Sequence, residues 1–283
     1  MGLRIVTGVI LIAVVVALVW WGPAWLLGAI AALIAILGMV EFFSLGERVG
    51  LRGFRIWTLV CAAGIFYAQY AAGMVETHSG LGFVLMRNAG AQLSIELVLL
   101  IFLFGAVGIG LATKRPLQDV LPAISISSAG LLFVALPFSY LVRINELDRV
   151  GRELILFTLA LIWAGDTLAY FVGKFMGRVP MAPALSPKKT WEGAVANVVA
   201  SLLVALAASR WMDVDLTTLL IIAAAANIAG QMGDLIESAY KRGANVKDSG
   251  TIVPGHGGVL DRIDSLILAA PVVWTLYTWL AAR

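Results

Sequence analysis

Residues 241–265 read KRGANVKDSGTIVPGHGGVLDRIDS, and residues 266–282 continue as LILAAPVVWTLYTWLAA. The first segment mixes basic and acidic side chains with glycines and a proline, whereas the second is an apolar run without a charged residue. A helix needs roughly 20 apolar residues to cross a bilayer, and a run of about 18 with few charges is a candidate. The sequence therefore predicts a membrane-spanning helix near 262–281, with a charged, flexible loop at the membrane edge.

The composition extends this interpretation to the whole chain. Of its 283 residues, 61% are hydrophobic and 13% are charged, whereas a soluble domain is typically about 45–50% apolar and about 25% charged. Lipid offers backbone groups no hydrogen-bond partner, so the spans should be helices. The predicted fold class is an all-α polytopic membrane protein with about nine transmembrane helices, the first of which is retained rather than cleaved as a signal peptide. The predicted spans are 5–22, 24–43, 57–75, 93–112, 120–142, 153–174, 192–209, 216–238 and 262–281.

Basic residues are distributed unequally between the two sides of this predicted bundle. With the N-terminus inside the cell, 14 lysines and arginines lie on the cytoplasmic side and 6 on the other, and such an excess marks the cytoplasmic side. We therefore predict a cytoplasmic N-terminus, a cytoplasmic 239–261 loop and a C-terminus outside, in the cell inner (plasma) membrane. The basic excess suits phosphates or anionic lipid headgroups, and no nucleic-acid-binding module is visible. We divide the chain into 1–150, with helices 1–5, and a catalytic region over 151–283, with helices 6–9.

Five carboxylates lie within or beside the later predicted helices, namely Asp166, Asp234, Glu237, Asp261 and Asp264. A carboxylate at the bilayer centre costs roughly 2.5–3.5 kcal/mol on insertion scales, so its presence indicates a function. Asp234 and Glu237 are three residues apart, as are Asp261 and Asp264, so each pair shares one helix face. Two acidic faces joined by a loop can converge on one site, where carboxylates and phosphates suit Mg²⁺. A structural network of ion pairs is the alternative interpretation, and we favour the functional site.

Basic loop residues complement these acids. Lys188 and Lys189 in SPKKTWEG can meet phosphate oxygens, and so can Lys241, Arg242 and Lys247 after the eighth predicted helix. The GHGG backbone can approach a phosphate closely, and the N–H groups at a helix start can bind an anion. This arrangement favours phosphoryl or nucleotidyl transfer, in which a metal and cations act on phosphates.

Other polar residues receive simpler interpretations. We predict that the carboxylate of Glu41 snorkels to water rather than taking a catalytic role. Glu96 is predicted to be an acid at an interfacial helix start, and Glu192 is either such an acid or a site residue. For His256, between glycines, a phosphate contact or a role in the turn is favoured over a general base.

These residues resemble the signature of the CDP-diacylglycerol synthases, or phosphatidate cytidylyltransferases. That signature has a serine followed by a Lys-Arg pair, then Lys-Asp-Ser, a Pro-Gly-His-Gly-Gly turn, and Asp-Arg-x-Asp-Ser. In this chain it is formed by Ser238, Lys241, Arg242, Lys247, Asp248, Ser249, Pro254, Gly255, His256, Gly257, Gly258, Asp261, Arg262, Asp264 and Ser265. GDLIES, SPKKTWEG and WAGDTLAYFVGKFMG also match, so the resemblance covers roughly 160–265. Gly250 stands where the family usually has serine or alanine.

The resemblance implies an enzyme that transfers CMP from CTP to phosphatidate, giving CDP-diacylglycerol and pyrophosphate at the bilayer. It also implies Mg²⁺ with Asp234 and Asp261 as ligands, a second cation and a homodimer. The implied catalytic residues are Asp234, Asp261, Lys241, Arg242 and Asp264. The implied substrate-binding residues are Ser186, Lys188, Lys189, Ser238, Lys247, Asp248, Gly255, His256, Gly257, Gly258, Arg262 and Asp166.

Two other functions stay open at this point. A CTP-dependent kinase of a membrane alcohol, such as a polyprenol, would need the same kind of phosphate site but would release CDP instead of pyrophosphate. An ion-coupled transporter would use Asp166, Asp234 and Asp261 as a relay near the bilayer midplane. Against the transporter, the acids cluster at one membrane edge beside a basic loop, and no inverted repeat is visible.

Overall fold

The computed structural model describes residues 2–77, 93–113, 115–147, 150–252 and 257–281, and within them the chain is mostly helical. The helices are α1 (Gly2–Trp21), α2 (Ala24–Arg48), α3 (Arg55–Thr77), α4 (Ile95–Ala112), α5 (Leu117–Gly130), α6 (Leu136–Phe138), α7 (Tyr140–Asn145), α8 (Gly151–Met176), α9 (Trp191–Ala208), α10 (Leu216–Gly243) and α11 (Leu260–Ala281). In the described ranges, eight segments are long and apolar enough to cross a membrane, and the Ile10–Trp21 part of α1 provides a further, shorter apolar segment. The predicted all-helical polytopic membrane fold is therefore confirmed, while the orientation of its termini and the division at residue 150 stay predictions.

Side-chain caps fix where two of the later helices begin. Thr190 Oγ1 accepts a hydrogen bond from the Gly193 N–H (3.2 Å) at the start of α9. Asp215 Oδ2 accepts one from the Thr218 N–H (3.1 Å) at the start of α10. The first N–H groups of a helix lack intrahelical partners, so a capping oxygen stabilises the helix start. The Thr190 cap places the start of α9 directly after the basic SPKK segment.

The fifth predicted span, 120–142, is not one regular helix. α5 passes into a π-helical turn at Leu131–Ala135, and α6 and α7 follow. Pro137 lies in α6, and because proline has no backbone N–H, the regular hydrogen-bond ladder cannot continue through it. The π-helical turn packs against α2, and the whole segment Leu117–Asn145 still counts as one span.

The helices that carry the predicted site residues pack as two close pairs, α8 with α9 and α10 with α11. Small residues let neighbouring membrane helices approach each other. A Cβ atom at Gly233 of α10 would lie 2.3 Å from the carbonyl oxygen of Asp264 on α11, and one at Gly165 of α8 would lie 1.9 Å from Asn197 Oδ1 on α9. α2 also packs against α11, so a helix from the first part of the chain reaches the second.

The connection between α8 and α9 folds into a short β-hairpin. Its strands are β1 (Pro180–Ala182) and β2 (Ser186–Thr190), which pair antiparallel with Pro180 opposite Thr190 and Ala182 opposite Ser186. The sequence predicted only a polar connection here. The hairpin therefore holds Lys188 and Lys189 on a strand next to the start of α9.

Candidate active site

Three carboxylates meet where α10 approaches α11. Asp234 and Glu237 come from α10 and Asp264 from α11, and one oxygen from each lies within 4.8 Å of the others. Glu237 is fully buried, whereas the other two are partly exposed. Gly233 makes this meeting possible because a side chain there would collide with the backbone of α11. Carboxylates are the hard oxygen ligands that a divalent cation such as Mg²⁺ prefers, so these residues fit a metal ion; we call them the acidic group.

Asp261, the other predicted metal ligand, lies outside the acidic group and accepts from four donors. Its Oδ1 accepts from Lys241 Nζ (2.5 Å). Its Oδ2 accepts from the Gly258 N–H (2.8 Å), the Ser249 N–H (2.9 Å) and Ser249 Oγ (3.0 Å). Asp261 therefore fastens the loop between α10 and α11 to the start of α11. Its assignment as a metal ligand with Asp234 stays a prediction.

Lys241 and Arg242, which we predicted to bind phosphate, contact the protein itself. The Lys241 ammonium pairs with both Glu237 and Asp261, and 12% of its side chain is exposed. Arg242 is exposed, and its Nε donates to the carbonyl oxygen of Leu185 (3.2 Å) in the hairpin turn. Lys241 thus links the acidic group to Asp261, and Arg242 links the hairpin to the end of α10.

A cavity of about 260 Å³ lies between the hairpin and helices α8, α9 and α10. Its polar lining includes Asp166, Lys188, Lys189, Gln231 and Asp234. Lys189 Nζ lies 2.5 Å from Asp234 Oδ2, and 30% of each side chain is exposed. The cavity therefore places cations from β2 opposite carboxylates from α8 and α10, which is the charge pattern expected for a phosphate ligand with its metal ion.

One wall of this cavity is backed by a chain of hydrogen-bonded side chains that the sequence analysis missed. Asn197 Nδ2 donates to Asp166 Oδ1 (3.2 Å), and Asn227 Nδ2 donates to Asn197 Oδ1 (2.5 Å). Asn227 Nδ2 also lies 2.5 Å from Ser201 Oγ, and Gln231 Nε2 donates to Asn227 Oδ1 (2.7 Å). Uncharged amides inside apolar helices were the available signal, because polar groups in membrane helices usually face the bundle interior or each other.

Glu41 corrects one of our predictions. Only 4% of this residue is exposed, so the prediction that its carboxylate snorkels to water is wrong. Glu41 Oε1 accepts from the Val259 N–H (3.0 Å), and Oε2 accepts from the Leu260 N–H (2.8 Å) and from Ser249 Oγ (2.9 Å). These donors take the place of water, which allows the carboxylate to be buried.

The remaining predicted site residues lie around these groups. Ser238 Oγ donates to Asp234 Oδ1 (3.4 Å), and Ser186 is the first residue of β2. Gly257 has φ +82°, a left-handed conformation that favours glycine, and the next residue supplies the N–H bonded to Asp261. Three of the predicted residues are exposed, namely Lys247, Asp248 and Arg262. Two others, Gly255 and His256, lie outside the described residues.

Known proteins resemble this chain over different lengths. It matches the cytidylyltransferase family over residues 2–280. A phosphatidate cytidylyltransferase of Bacillus subtilis is 40% identical over 147 residues, which are 51% of this chain and 55% of that protein. The protein of that name from Staphylococcus saprophyticus is 43% identical over 143 residues, 50% of this chain and 54% of that protein. The one from Brucella abortus is 36% identical over 260 residues, 89% of each chain.

The chain thus spans about half the length of the first two relatives in these matches, but most of the Brucella protein. The family match extends over nearly the whole chain, including the helices before residue 150, where the sequence motifs carried no resemblance. The resemblance is therefore confirmed, and the chain belongs to the cytidylyltransferase family.

Proposed function

We propose that this protein transfers CMP from CTP to phosphatidate, yielding CDP-diacylglycerol and pyrophosphate for phospholipid biosynthesis. The observation that carries the proposal is one cavity in which Lys188 and Lys189 lie opposite Asp166 and Asp234, next to the acidic group. Membership of the cytidylyltransferase family supports nucleotidyl transfer, and the names of the relatives support phosphatidate as the acceptor. The lipid would reach the site from the bilayer and the nucleotide from water.

The proposed reaction needs little covalent work from side chains. A phosphate oxygen of phosphatidate attacks the α-phosphorus of CTP and forms a new P–O bond. The bond from that phosphorus to the oxygen bridging to the β-phosphorus breaks, and pyrophosphate leaves with the electron pair. A phosphomonoester has a second pKa of about 6, so the attacking group is mostly ionised at pH 7 and needs no strong general base. Positioning and charge neutralisation are the main requirements.

The residues of the cavity suit these two requirements. Lys188 and Lys189 supply positive charge for phosphate oxygens. The ion pair between Lys189 and Asp234 is partly exposed, so it can open without leaving a buried charge unpaired, because water reaches both partners. Asp166 accepts a hydrogen bond from Asn197, so the wall of the cavity behind the phosphates is polar. Loss of either lysine should therefore impair turnover more than folding.

We further propose that Asp234, Glu237 and Asp264 hold Mg²⁺. When bound there, the ion would neutralise phosphate charge and orient the phosphates of the nucleotide. The sequence-based pairing of Asp234 with Asp261 is the competing proposal for the ligands. The proposal also includes the second cation and the homodimer that the resemblance implies. The dependence of turnover on added cations tests the first, and the molecular mass of the protein in detergent tests the second.

The proposed location is the inner (plasma) membrane, with the site facing the cytoplasm. The support is the 14 to 6 distribution of basic residues together with positive-inside bias. The acidic group and the hairpin both lie beside the loops that this bias assigns to the cytoplasm, where CTP would be available.

The test is a turnover assay on the purified protein in detergent with CTP, phosphatidate and Mg²⁺. We expect one pyrophosphate and one CDP-diacylglycerol per CTP consumed, measured by a coupled phosphate assay and by mass spectrometry of the lipid. Release of CDP with a polyprenol acceptor would identify the kinase instead. Solute flux into proteoliposomes without CTP would identify the transporter. Reactions without phosphatidate provide the control.

A further inference from the structure

Glu41 is a buried acidic residue that hydrogen-bonds to the loop between α10 and α11. In the sequence, Glu41 and this loop are far apart. Glu41 lies in α2, and its hydrogen-bond partners are 208 to 219 residues further along the chain. Its two carboxylate oxygens accept from two successive backbone N–H groups, those of Val259 and Leu260, and from the Ser249 hydroxyl. One side chain of the first part of the chain therefore holds both ends of the loop described at 249–252 and 257–260.

The loop is shaped to admit this carboxylate. A Cβ atom at Gly250 would lie 2.2 Å from Glu41 Oε1, and one at Gly258 would lie 2.4 Å from Glu41 Oε2. Real Cβ atoms do not approach other atoms so closely, and both contacts are to a carboxylate that three donors hold in place. The absence of a side chain at Gly250 and Gly258 matches the position of Glu41.

The Ser249 side chain connects Glu41 to Asp261. Its Oγ lies 2.9 Å from Glu41 Oε2 and 3.0 Å from Asp261 Oδ2. A hydroxyl has one proton to donate, so it bonds one carboxylate at a time, while the Ser249 N–H stays on Asp261 (2.9 Å). Asp261 in turn holds Lys241, which pairs with the buried Glu237 of the acidic group. A continuous set of polar contacts therefore runs from α2 to the acidic group.

We propose that Glu41 is a positioning residue for the active site: it fixes the loop backbone at Ser249 and at 259–260 and, through Ser249, the places of Asp261 and Lys241. Glu41 is not expected to touch substrate or metal. Only the turnover part of the test rests on the proposed function, whereas the loop geometry can be measured without it. The inference also assigns a task to α2, a helix outside the region that carries the sequence signature.

The main variant is Glu41→Gln, which keeps the side-chain shape but replaces one acceptor oxygen by an NH₂ group. That group cannot accept from the loop donors, so at least one of the three hydrogen bonds must be lost. Glu47→Gln is the matched control, because Glu47 is on the same helix, 46% of its side chain is exposed, and it pairs with Arg55 on the surface. Gly250→Ala is the second variant, since its Cβ would displace the Glu41 carboxylate while leaving its charge in place.

The first readout is hydrogen–deuterium exchange of the parent and the variants in detergent. We expect at least one of the Val259 and Leu260 amides to exchange at least about 10-fold faster in Glu41→Gln and in Gly250→Ala, from the loss of a hydrogen bond to a charged group. Peptides from α9 should exchange as in the parent, and Glu47→Gln should match the parent throughout. Unchanged exchange at both amides in both variants would overturn the proposal, whatever the protein catalyses.

The second readout is turnover per folded molecule. Both variants should lower kcat by about 10- to 100-fold and change KM for CTP less than threefold, because the binding lysines are untouched. In a double variant with Ser249→Ala, the effects of the two changes on kcat should be less than additive, since both remove the contact between Glu41 and Ser249. A loss of activity that only follows the loss of folded protein, or full additivity in the double variant, would refute a positioning role.

Discussion

Two lysines form ion pairs with acids of α10, but their different burial predicts different effects when each is replaced by methionine. Lys241 exposes 12% of its side chain, and its partners Glu237 and Asp261 expose 0% and 6% of theirs. Lys189 and its partner Asp234 each expose 30%. Methionine retains the apolar stem and removes the charge, so each change isolates the contribution of the ammonium group.

The Lys241→Met change should mainly reduce stability. It leaves two buried carboxylates without their shared cation, and removing one partner of a buried ion pair costs roughly 3–5 kcal/mol. Asp261 keeps the N–H groups of Ser249 and Gly258 as donors, so most of the cost should come from Glu237. With about 2–4 °C per kcal/mol for a large domain, the unfolding midpoint should fall by about 6–20 °C.

The Lys189→Met change should mainly reduce turnover. A solvent-screened pair contributes at most about 1 kcal/mol, so the midpoint should shift by no more than about 4 °C. If Lys189 contacts a phosphate, the lost hydrogen bond to a charged group costs roughly 1.5–3 kcal/mol, which lowers kcat/KM about 10- to 150-fold. Thermal unfolding in detergent and pyrophosphate release per folded molecule measure both effects. A fully active Lys189→Met variant, or a Lys241→Met variant as stable as the parent, would refute this reasoning.

Three further predictions concern the metal, the helix packing and the topology. The Asp264→Asn variant should lose most of its turnover and recover part of it at raised Mg²⁺. The Asp261→Asn variant should be less stable, and its activity should not respond to Mg²⁺. The reverse pattern would favour Asp234 and Asp261 as the ligands. Gly165→Ala should lower the unfolding midpoint because its Cβ would lie 1.9 Å from Asn197 Oδ1, while Gly108→Ala, with open space at that point, should not. A reporter fused to the C-terminus should be located outside the cytoplasm, and a cytoplasmic signal would contradict the predicted orientation.

The features that the sequence predicted well are those that depend on neighbours along the chain. The length of an apolar run determines whether it can span a bilayer, and the 3.6-residue period places Asp234 and Glu237 on one face of α10. Contacts between distant segments leave no such pattern. The link from Glu41 to Ser249 crosses 208 residues, and nothing local distinguishes a buried glutamate that caps another helix from one that snorkels. The interruption near Pro137 was visible as a proline, but the π-helical turn before it was not.

Asp261 and Asp264 show that helical spacing alone does not predict which partners each acid contacts. Both lie near the start of α11, and their spacing of three residues places them on one face of the helix. Along the helix axis, however, they are about one turn apart. Asp261 is in the first turn, where its carboxylate meets the free N–H groups of the preceding loop, at Ser249 and Gly258. Asp264 lies one turn further into α11, at the level where Gly233 brings α10 close.

The loop between α10 and α11 offers a reason why so much charge lies at this predicted membrane edge. A loop rich in glycine has little side-chain packing to define its shape, so ionic contacts must hold it. Asp261, Lys241 and Arg242 bond to the protein, and Glu41 supplies a second anchor from α2. In the proposed reaction, the cavity lysines and the acidic group are the charges that would bind phosphates and a metal. A charged residue of the sequence signature can therefore serve by fixing the loop as well as by touching the substrate, and stability and turnover measured on the same variant separate the two roles.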